Sequence, residues 1–311
     1  MNRWYKVVVK VVVAVMIFPS CGTAQHVITD IEQTFQGIEE VVVVGGSLDV
    51  SYEGSDKDEL FLNAYLESNQ KDGPEITYKV EGNRLKVEFR RQSSGGWGNL
   101  RTKGFISLIG PEEMKMEINS SSGKMFISNV VSDKIDLRAS SGKIEARNLS
   151  SDRIRLTTSS GRMDVEGING NVECEAFSGG GHIAKVRGDI SVMASSGSYE
   201  ISEVEGVVNG SLSSGSITLD EIGELGKLSV SSGRIEATKA GLGEHTRFSG
   251  SSGSFTIQTD DDLGDYNYDL SASSGSLEVG NTKTGKKLNI DNGSNITVSG
   301  AISSGSITIF N

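Results

Sequence analysis

With 311 residues the chain is long enough for one or two domains with a core of their own, and 39 glycines against 3 prolines, with 6% aromatic residues, describe an ordered but glycine-punctuated chain rather than a disordered or collagen-like one. A formal charge of −11 argues against a nucleic-acid binder, whose footprint is basic. Two cysteines leave no room for a disulfide framework or a cysteine-built zinc site.

Residues 1–20 read as a secretory signal, with Arg3, Lys6 and Lys10 as the basic start and a Val-rich run over 11–18 as the apolar stretch. That run is shorter than the about 20 residues a membrane-spanning helix needs. Its end, Phe18-Pro19-Ser20-Cys21-Gly22, resembles the lipobox of bacterial lipoproteins, and the resemblance implies acylation of Cys21. Cleavage after Ala24, which releases a soluble chain, is the alternative. Both routes export the protein. Residues 21–34 follow as a linker, and Gly22-Thr23-Ala24-Gln25 lacks the acidic residues that accompany surface export of Bacteroidetes lipoproteins.

Residues 35–118 form a strand-rich N-terminal cap. Alternating segments at 41–44, 48–52, 60–66, 76–80 and 85–89 predict strands, joined by polar turns such as Glu53-Gly54-Ser55-Asp56 and Glu81-Gly82-Asn83. Such a cap covers the open edge of whatever sheet follows. Within it Lys79, Arg84, Lys86, Arg90, Arg91, Arg101 and Lys103 make a basic island in an acidic protein. The island's tip, Ser93-Ser94-Gly95-Gly96-Trp97-Gly98, offers an indole, so Trp97 with Arg90, Arg91, Arg101 and Lys103 is the candidate site for a sugar ring or an anionic polysaccharide.

Residues 119–311 are a repeat. The tripeptide S-S-G ends at Gly123, Gly142, Gly161, Gly197, Gly215, Gly233, Gly253, Gly275 and Gly305, with Ser178-Gly179-Gly180 and Asp291-Asn292-Gly293 filling the gaps. From Gly123 to Gly275 the mean spacing is about 19 residues, close to the shortest repeats that build solenoids. A run of alternating apolar residues enters each S-S-G and a second leaves it, as in Ile135, Leu137 and Ala139 before Gly142 and Ile144 and Ala146 after it. Period two means half-buried strands, and two short strands in so short a repeat suit a solenoid coil rather than a propeller blade. The fold class is therefore all-β, a parallel β-helix (β-solenoid) of about 19-residue coils. Parity predicts that Ser122, Ser141, Ser160, Ser196, Ser214, Ser232, Ser252, Ser274 and Ser304 face inward as a hydroxyl ladder, with the phase reversing at the glycine. Lys124, Lys143 and Arg162 should stack outward beside Glu145 and Asp164 as a charge ladder. The last strand, 307–310, should leave a thinly protected edge.

Motifs for chemistry are scarce. His26, His182 and His245 have no catalytic or metal spacing, and Asp260-Asp261-Asp262 with Asp265 and Asp269 matches neither an EF-hand nor a calcium β-roll. Cys174, alternating with Glu173 and Glu175, reads as a small buried hydrophobe. No catalytic residue, metal or cofactor is expected.

Phe35-Gln36-Gly37-Ile38, Leu48-Asp49-Val50, Pro111 ahead of Lys115-Met116-Glu117-Ile118-Asn119, and the serial S-S-G coils together resemble the bacterial "putative adhesin" families, DUF4097 and the related head GIN domain, DUF2807. Gly167-Ile168-Asn169 spells the second family's tripeptide. The resemblance implies a β-helical lipoprotein of Bacteroidetes type and brings no catalytic residues. Three functions fit: a lipid-anchored outer-membrane adhesin or glycan-binding module; a periplasm-facing structural or regulatory envelope protein; and a polysaccharide-cleaving β-helix enzyme, which needs a groove that short coils do not supply. The expected partners are the membrane, through the lipid anchor, and a polysaccharide or an envelope or host-surface protein, with no nucleic acid.

Overall fold

The computed structural model describes residues 25–71, 73–91 and 100–311; the signal segment, the acylation site Cys21 and Trp97 lie outside them. Strands β1 (His26–Gln36), β2 (Glu40–Gly46), β3 (Asp49–Ser55), β4 (Glu59–Ser68), β5 (Pro74–Glu81), β6 (Arg84–Arg91) and β7 (Thr102–Pro111) make the N-terminal part. The middle holds β8 (Lys115–Ser120), β9 (Met125–Val131), β10 (Ile135–Ala139), β11 (Lys143–Thr158), β12 (Arg162–Ala176), β13 (Gly180–Arg187), β14 (Ile190–Ala194) and the long β15 (Ser198–Ala240). The chain closes with β16 (Arg247–Gln258), β17 (Asn267–Val279), β18 (Thr282–Thr284), β19 (Lys287–Ile290) and β20 (Thr297–Phe310).

Alternation in the sequence becomes the stacked walls of a β-solenoid-like fold, two longer ones and a short third that holds the column Leu149, Ile168, Val186 and Val204. On the wall that enters each S-S-G, Ile135 pairs in parallel with Ile154, then Val172, Ile190 and Val208, so each partner stands one repeat further along the chain. On the wall that leaves it, Met125, Ile144, Met163, Gly181 and Tyr199 align in the same way. The inward members of these columns are apolar and buried, with Cys174 in the column Leu137, Leu156, Cys174, Val192. Burial pushes the Cys174 thiol up to about 12, which keeps it protonated and inert.

The corner between the walls corrects the expected serine orientation. Ser122, Ser141, Ser160, Ser214, Ser232, Ser252, Ser274 and Ser304 are exposed and Ser196 is half-buried, while residues three before the glycine, such as Ala139 and Thr158, are buried. Two consecutive serines point outward because the chain turns there, and the next inward residue comes two after the glycine. Their hydroxyls thus meet solvent rather than a core. Their amides do not: Ser141 N donates to Ser121 O (2.7 Å), Ser160 N to Ser140 O (2.7 Å) and Ser214 N to Ser195 O (2.8 Å), one coil back. What the corner requires is the glycine. A Cβ built on Gly142, Gly161, Gly179, Gly197 or Gly215 would overlap the carbonyl oxygen of the glycine one coil earlier, and Gly197 also has φ +132°.

A second corner carries no glycine signature. Asn129, Asn148, Gly167, Lys185, Glu203, Glu221 and Lys239 succeed one another coil by coil, all with φ between 48° and 73°. Left-handed backbone at lysine or glutamate costs about 1–3 kcal/mol. Stacking offsets some of that cost. Asn148 Nδ2 donates to Asn129 Oδ1 (3.1 Å), and Lys185 and Lys239 reach Glu166 and Glu221 in the preceding coil (2.6 Å each). Near a third bend, side chains bridge coils to backbone: Asn171 Oδ1 accepts from Asp189 N (2.9 Å), Asp189 Oδ1 from Val207 N (2.8 Å) and Asn209 Oδ1 from Lys227 N (2.9 Å).

Stacking order departs from chain order at both ends. At the first, β6 pairs in parallel with β2 and β7 with β3, so 84–111 lies outside 40–55; β5, β4 and β1 then add antiparallel. The outermost strand, β1, sets Asp30 and Glu32 along its edge, which discourages pairing with a second such edge. At the other end the expected exposed final strand is corrected. β20 lies between β16 and β17, paired in parallel with both, and β18 and β19 add antiparallel to β17. Asp291-Asn292-Gly293 is accordingly no coil corner. It belongs to the return loop, where Asn267 Oδ1 accepts from Asn292 N (2.8 Å) and Asn267 Nδ2 donates to Ser294 O (2.7 Å). Size complementarity places β20: Gly300 lies between Phe248 and Leu270, and Ile302 between Gly250 and Ala272.

Two mutational contrasts follow from this packing. Gly161→Val should lower stability by about 1–3 kcal/mol in thermal unfolding, because its Cβ meets backbone that cannot move aside, whereas Ser160→Leu, at an exposed position, should stay within about 0.5 kcal/mol of the parent. Gly300→Leu, whose Cβ would lie 2.9 Å from both Leu270 Cδ2 and Ile307 Cδ1, should destabilise to a similar degree and make β20 the first segment cut in limited proteolysis.

Candidate functional site

Charge on the outer walls is mostly spent locally. Lys143 bonds Glu145 (2.8 Å) and Asp164 (3.1 Å), and Arg147 bonds Asp164 (2.7 Å). Although burial pushes the Asp164 carboxyl up, the bonds from Arg147 and Lys143 hold it below its ordinary value. Arg153 and Arg155 share Glu173 (2.7 and 3.2 Å). The acidic bend is also committed: Asp261 Oδ2 accepts from Leu242 N (2.8 Å) and the Tyr266 hydroxyl (2.9 Å), and Asp262 Oδ1 from Gly264 N (2.9 Å). Among the described residues no cluster of His, Cys, Asp and Glu is arranged to hold a metal ion.

The basic island divides between the two longer walls. On β6, Arg84 pairs with Glu40 (2.8 Å), while Lys86 and Arg90 both reach Glu88, whose carboxyl they hold below its ordinary value. Arg90 is therefore neutralised where it stands. Arg91, Arg101 and Lys103 form no ion pair with any described residue. Arg101 is fixed by its backbone, with Arg101 N donating to Asn69 Oδ1 (2.8 Å) and Asn69 N to Arg101 O (3.2 Å). Arg101 lies just before β7 and Lys103 within it, opposite Glu67 on β4.

Next along β7 is a feature that alternation alone did not single out. Outward positions of β4, β7 and β9 carry Phe61, Tyr65, Phe105, Ile109 and Phe126 where solvated residues would be ordinary. Tyr65 and Phe105 face each other across the strands with ring centroids 6.2 Å apart and planes at 26°. Phe61 pairs with Ile109, and between the two apolar pairs lie Asn63 and Ser107; Ser51 on β3 donates to Ser107 Oγ (3.0 Å) and neighbours Phe126. Phe105 and Phe126 remain 39% and 41% exposed, enough to meet a ligand. The Tyr65 hydroxyl donates to Glu67 (2.5 Å), a bond that raises the phenol's pKa and keeps it a donor. The site is thus a flat apolar face with an amide and hydroxyls in its middle and, at one end, two cations that pair with no described residue. Outward parity along 61–65 and 105–109 marks these residues one strand at a time, and their meeting is set by the pairing of β4 with β7.

Solved structures with similar chains include a putative lipid binding protein from Parabacteroides distasonis (17% identity, 91% of this chain and 97% of that one, TM-score 0.42). Others are putative adhesins from Parabacteroides merdae (13%, 91% and 96%, 0.44) and Bacteroides fragilis (14%, 90% and 97%, 0.41). Likeness of that degree assigns no ligand. Comparison with curated proteins finds no match. The family whose pattern matches is described as Toastrack DUF4097 and spans residues 38–310, so the chain belongs to that family.

Proposed function

We propose that this is an exported, non-catalytic envelope protein, anchored in the outer membrane through acylated Cys21, whose parallel β-helix of about 19-residue coils serves as a stiff stalk for binding polysaccharide. The observation that carries the reading is the face built by Tyr65, Phe105, Phe61 and Phe126 around Asn63, Ser107 and Ser51, with Arg101 and Lys103 beside it. Aromatic rings lie flat against the C–H faces of sugars, and a contiguous exposed apolar patch on a soluble protein marks an interaction site. The cations matter because the chain as a whole carries −11, which repels polyanions everywhere except where positive charge is left unpaired. A rigid scaffold presenting a preformed face loses little entropy on binding.

A second reading, an envelope protein that faces the periplasm, is favoured by the absence of acidic residues in Gly22-Thr23-Ala24-Gln25. Protease shaving of intact and lysed cells separates the two, with Cys21→Ala as the anchoring control. The proposal predicts cleavage on intact cells and release of the Cys21→Ala protein into the soluble fraction. Protection until lysis would contradict surface display and leave the periplasmic reading.

A further inference from the structure

One coil breaks the repeat at three corner positions. Where other coils place serine two residues before the corner glycine, it has Phe177, 74% exposed. Directly after that glycine, Gly180 pairs with Arg162 on one side and Ser198 on the other, and Gly181 takes the inward place held by Met163 and Tyr199 in the adjoining coils. Gly181 has an internal reason: its Cβ would lie 3.0 Å from the Tyr199 ring, which fills the space. Gly180 has one too, since its Cβ would lie 2.7 Å from Ser198 O, and the missing side chain has a further result. It opens a cleft of about 470 Å³ with a backbone floor, bordered by Arg162, Ser160, His182, Ser198 and Glu200.

Arg162, like Lys124 two coils earlier, has no charged partner among the described residues. The cations around it are bound, Lys143 to Glu145 and Asp164, Arg147 to Asp164, and Lys185 to Glu166. Arg162 forms no ion pair with any described residue and borders the notch that Gly180 leaves in the wall. His182 Nδ1 stands 3.7 Å from a Glu200 carboxylate that is 71% exposed, so both keep free hydrogen-bonding capacity. Across the corner, Phe177 and Met193 line a second cleft of about 570 Å³. An exposed ring and an open backbone floor thus lie in one coil, and the floor adjoins Arg162 of the coil before.

We propose that the 171–187 coil binds a carboxylated sugar of an acidic glycan, its carboxylate forked on Arg162 in the notch and a neighbouring sugar against Phe177. A guanidinium matches a carboxylate in two parallel hydrogen bonds, and Glu200, His182 and Ser160 are placed to take ring hydroxyls. The inference rests on the polysaccharide reading and extends it. Register sets Phe105 beside Asp49, and on the same wall Lys143 beside Arg162 and Arg162 beside Gly180. Five strand spacings of about 4.8 Å put the two sites ~24 Å apart along the rod, within reach of one glycan chain.

Titration of the full chain with a hyaluronan octasaccharide, 3′-sialyllactose and a carboxyl-reduced hyaluronan octasaccharide tests the assignment, followed by calorimetry and thermal unfolding. At least one acidic probe should bind, the reduced probe should bind at least tenfold more weakly, and Arg162→Gln should weaken the acidic probe at least tenfold with Tm unchanged. Phe177→Ser, which restores the repeat's own residue, should weaken it at least threefold. Binding that is unaffected by Arg162→Gln, or equal for the reduced probe, or absent for both acidic probes, overturns the site. If affinity falls instead with Lys103→Gln or Phe105→Ser alone, the polysaccharide reading stands and the notch does not.

Discussion

Successive coils touch backbone to backbone at the S-S-G corner, and the rest of the architecture depends on that approach. A Cβ on Gly142 or Gly161 would occupy the place of the preceding glycine's carbonyl oxygen. Only glycine lets the walls on either side close to strand-pairing distance while the chain turns. Once the corner is fixed, the column Ile135, Ile154, Val172, Ile190 and the column Met125, Ile144, Met163 fall into register and bury one continuous core. Each coil contributes only a short segment to each wall, and the stability of that segment comes from its two neighbours.

That constraint was the most legible part of the chain. A tripeptide recurring at nearly constant spacing between alternating runs defines coils, and strands at 41–44, 48–52, 60–66, 76–80 and 85–89 coincide with β2 to β6. Orientation within the corner was not legible. Parity counted from Leu137 sends Ser141 inward, but the chain turns between Ala139 and Gly142, so two residues in a row point out. The second corner was invisible for another reason: Lys185, Glu203, Glu221 and Lys239 take left-handed backbone that sequence rules assign to glycine or asparagine. Stacking order at the ends was also hidden. The place of β20 is written in the fit of Gly300 between Phe248 and Leu270, a relation among three segments that no local pattern reports.

The candidate site was legible in composition and not in arrangement. Arg101 and Lys103 stand beside an apolar face, whereas Arg90 is bound to Glu88 on the other wall and Trp97 lies in a segment outside the described residues. Phe105 and Tyr65 each read as one member of an alternating strand, and only their meeting across β4 and β7 makes a platform. The Phe177 and Gly180 departures share that logic. A regular scaffold makes exceptions informative, since a coil that breaks the pattern at outward corner positions gives up polar side chains that its neighbours keep.

The most direct test of the corner as the organising contact is hydrogen exchange at Ser141, Ser160 and Ser214, resolved residue by residue. Their side chains are exposed, yet their amides donate to the coil before. Backbone stacking predicts protection comparable to Ile144 and Leu156 in the adjoining strands. Exchange of those serine amides at the rate of an open loop would contradict it, and would mean that the coils are held by their walls alone.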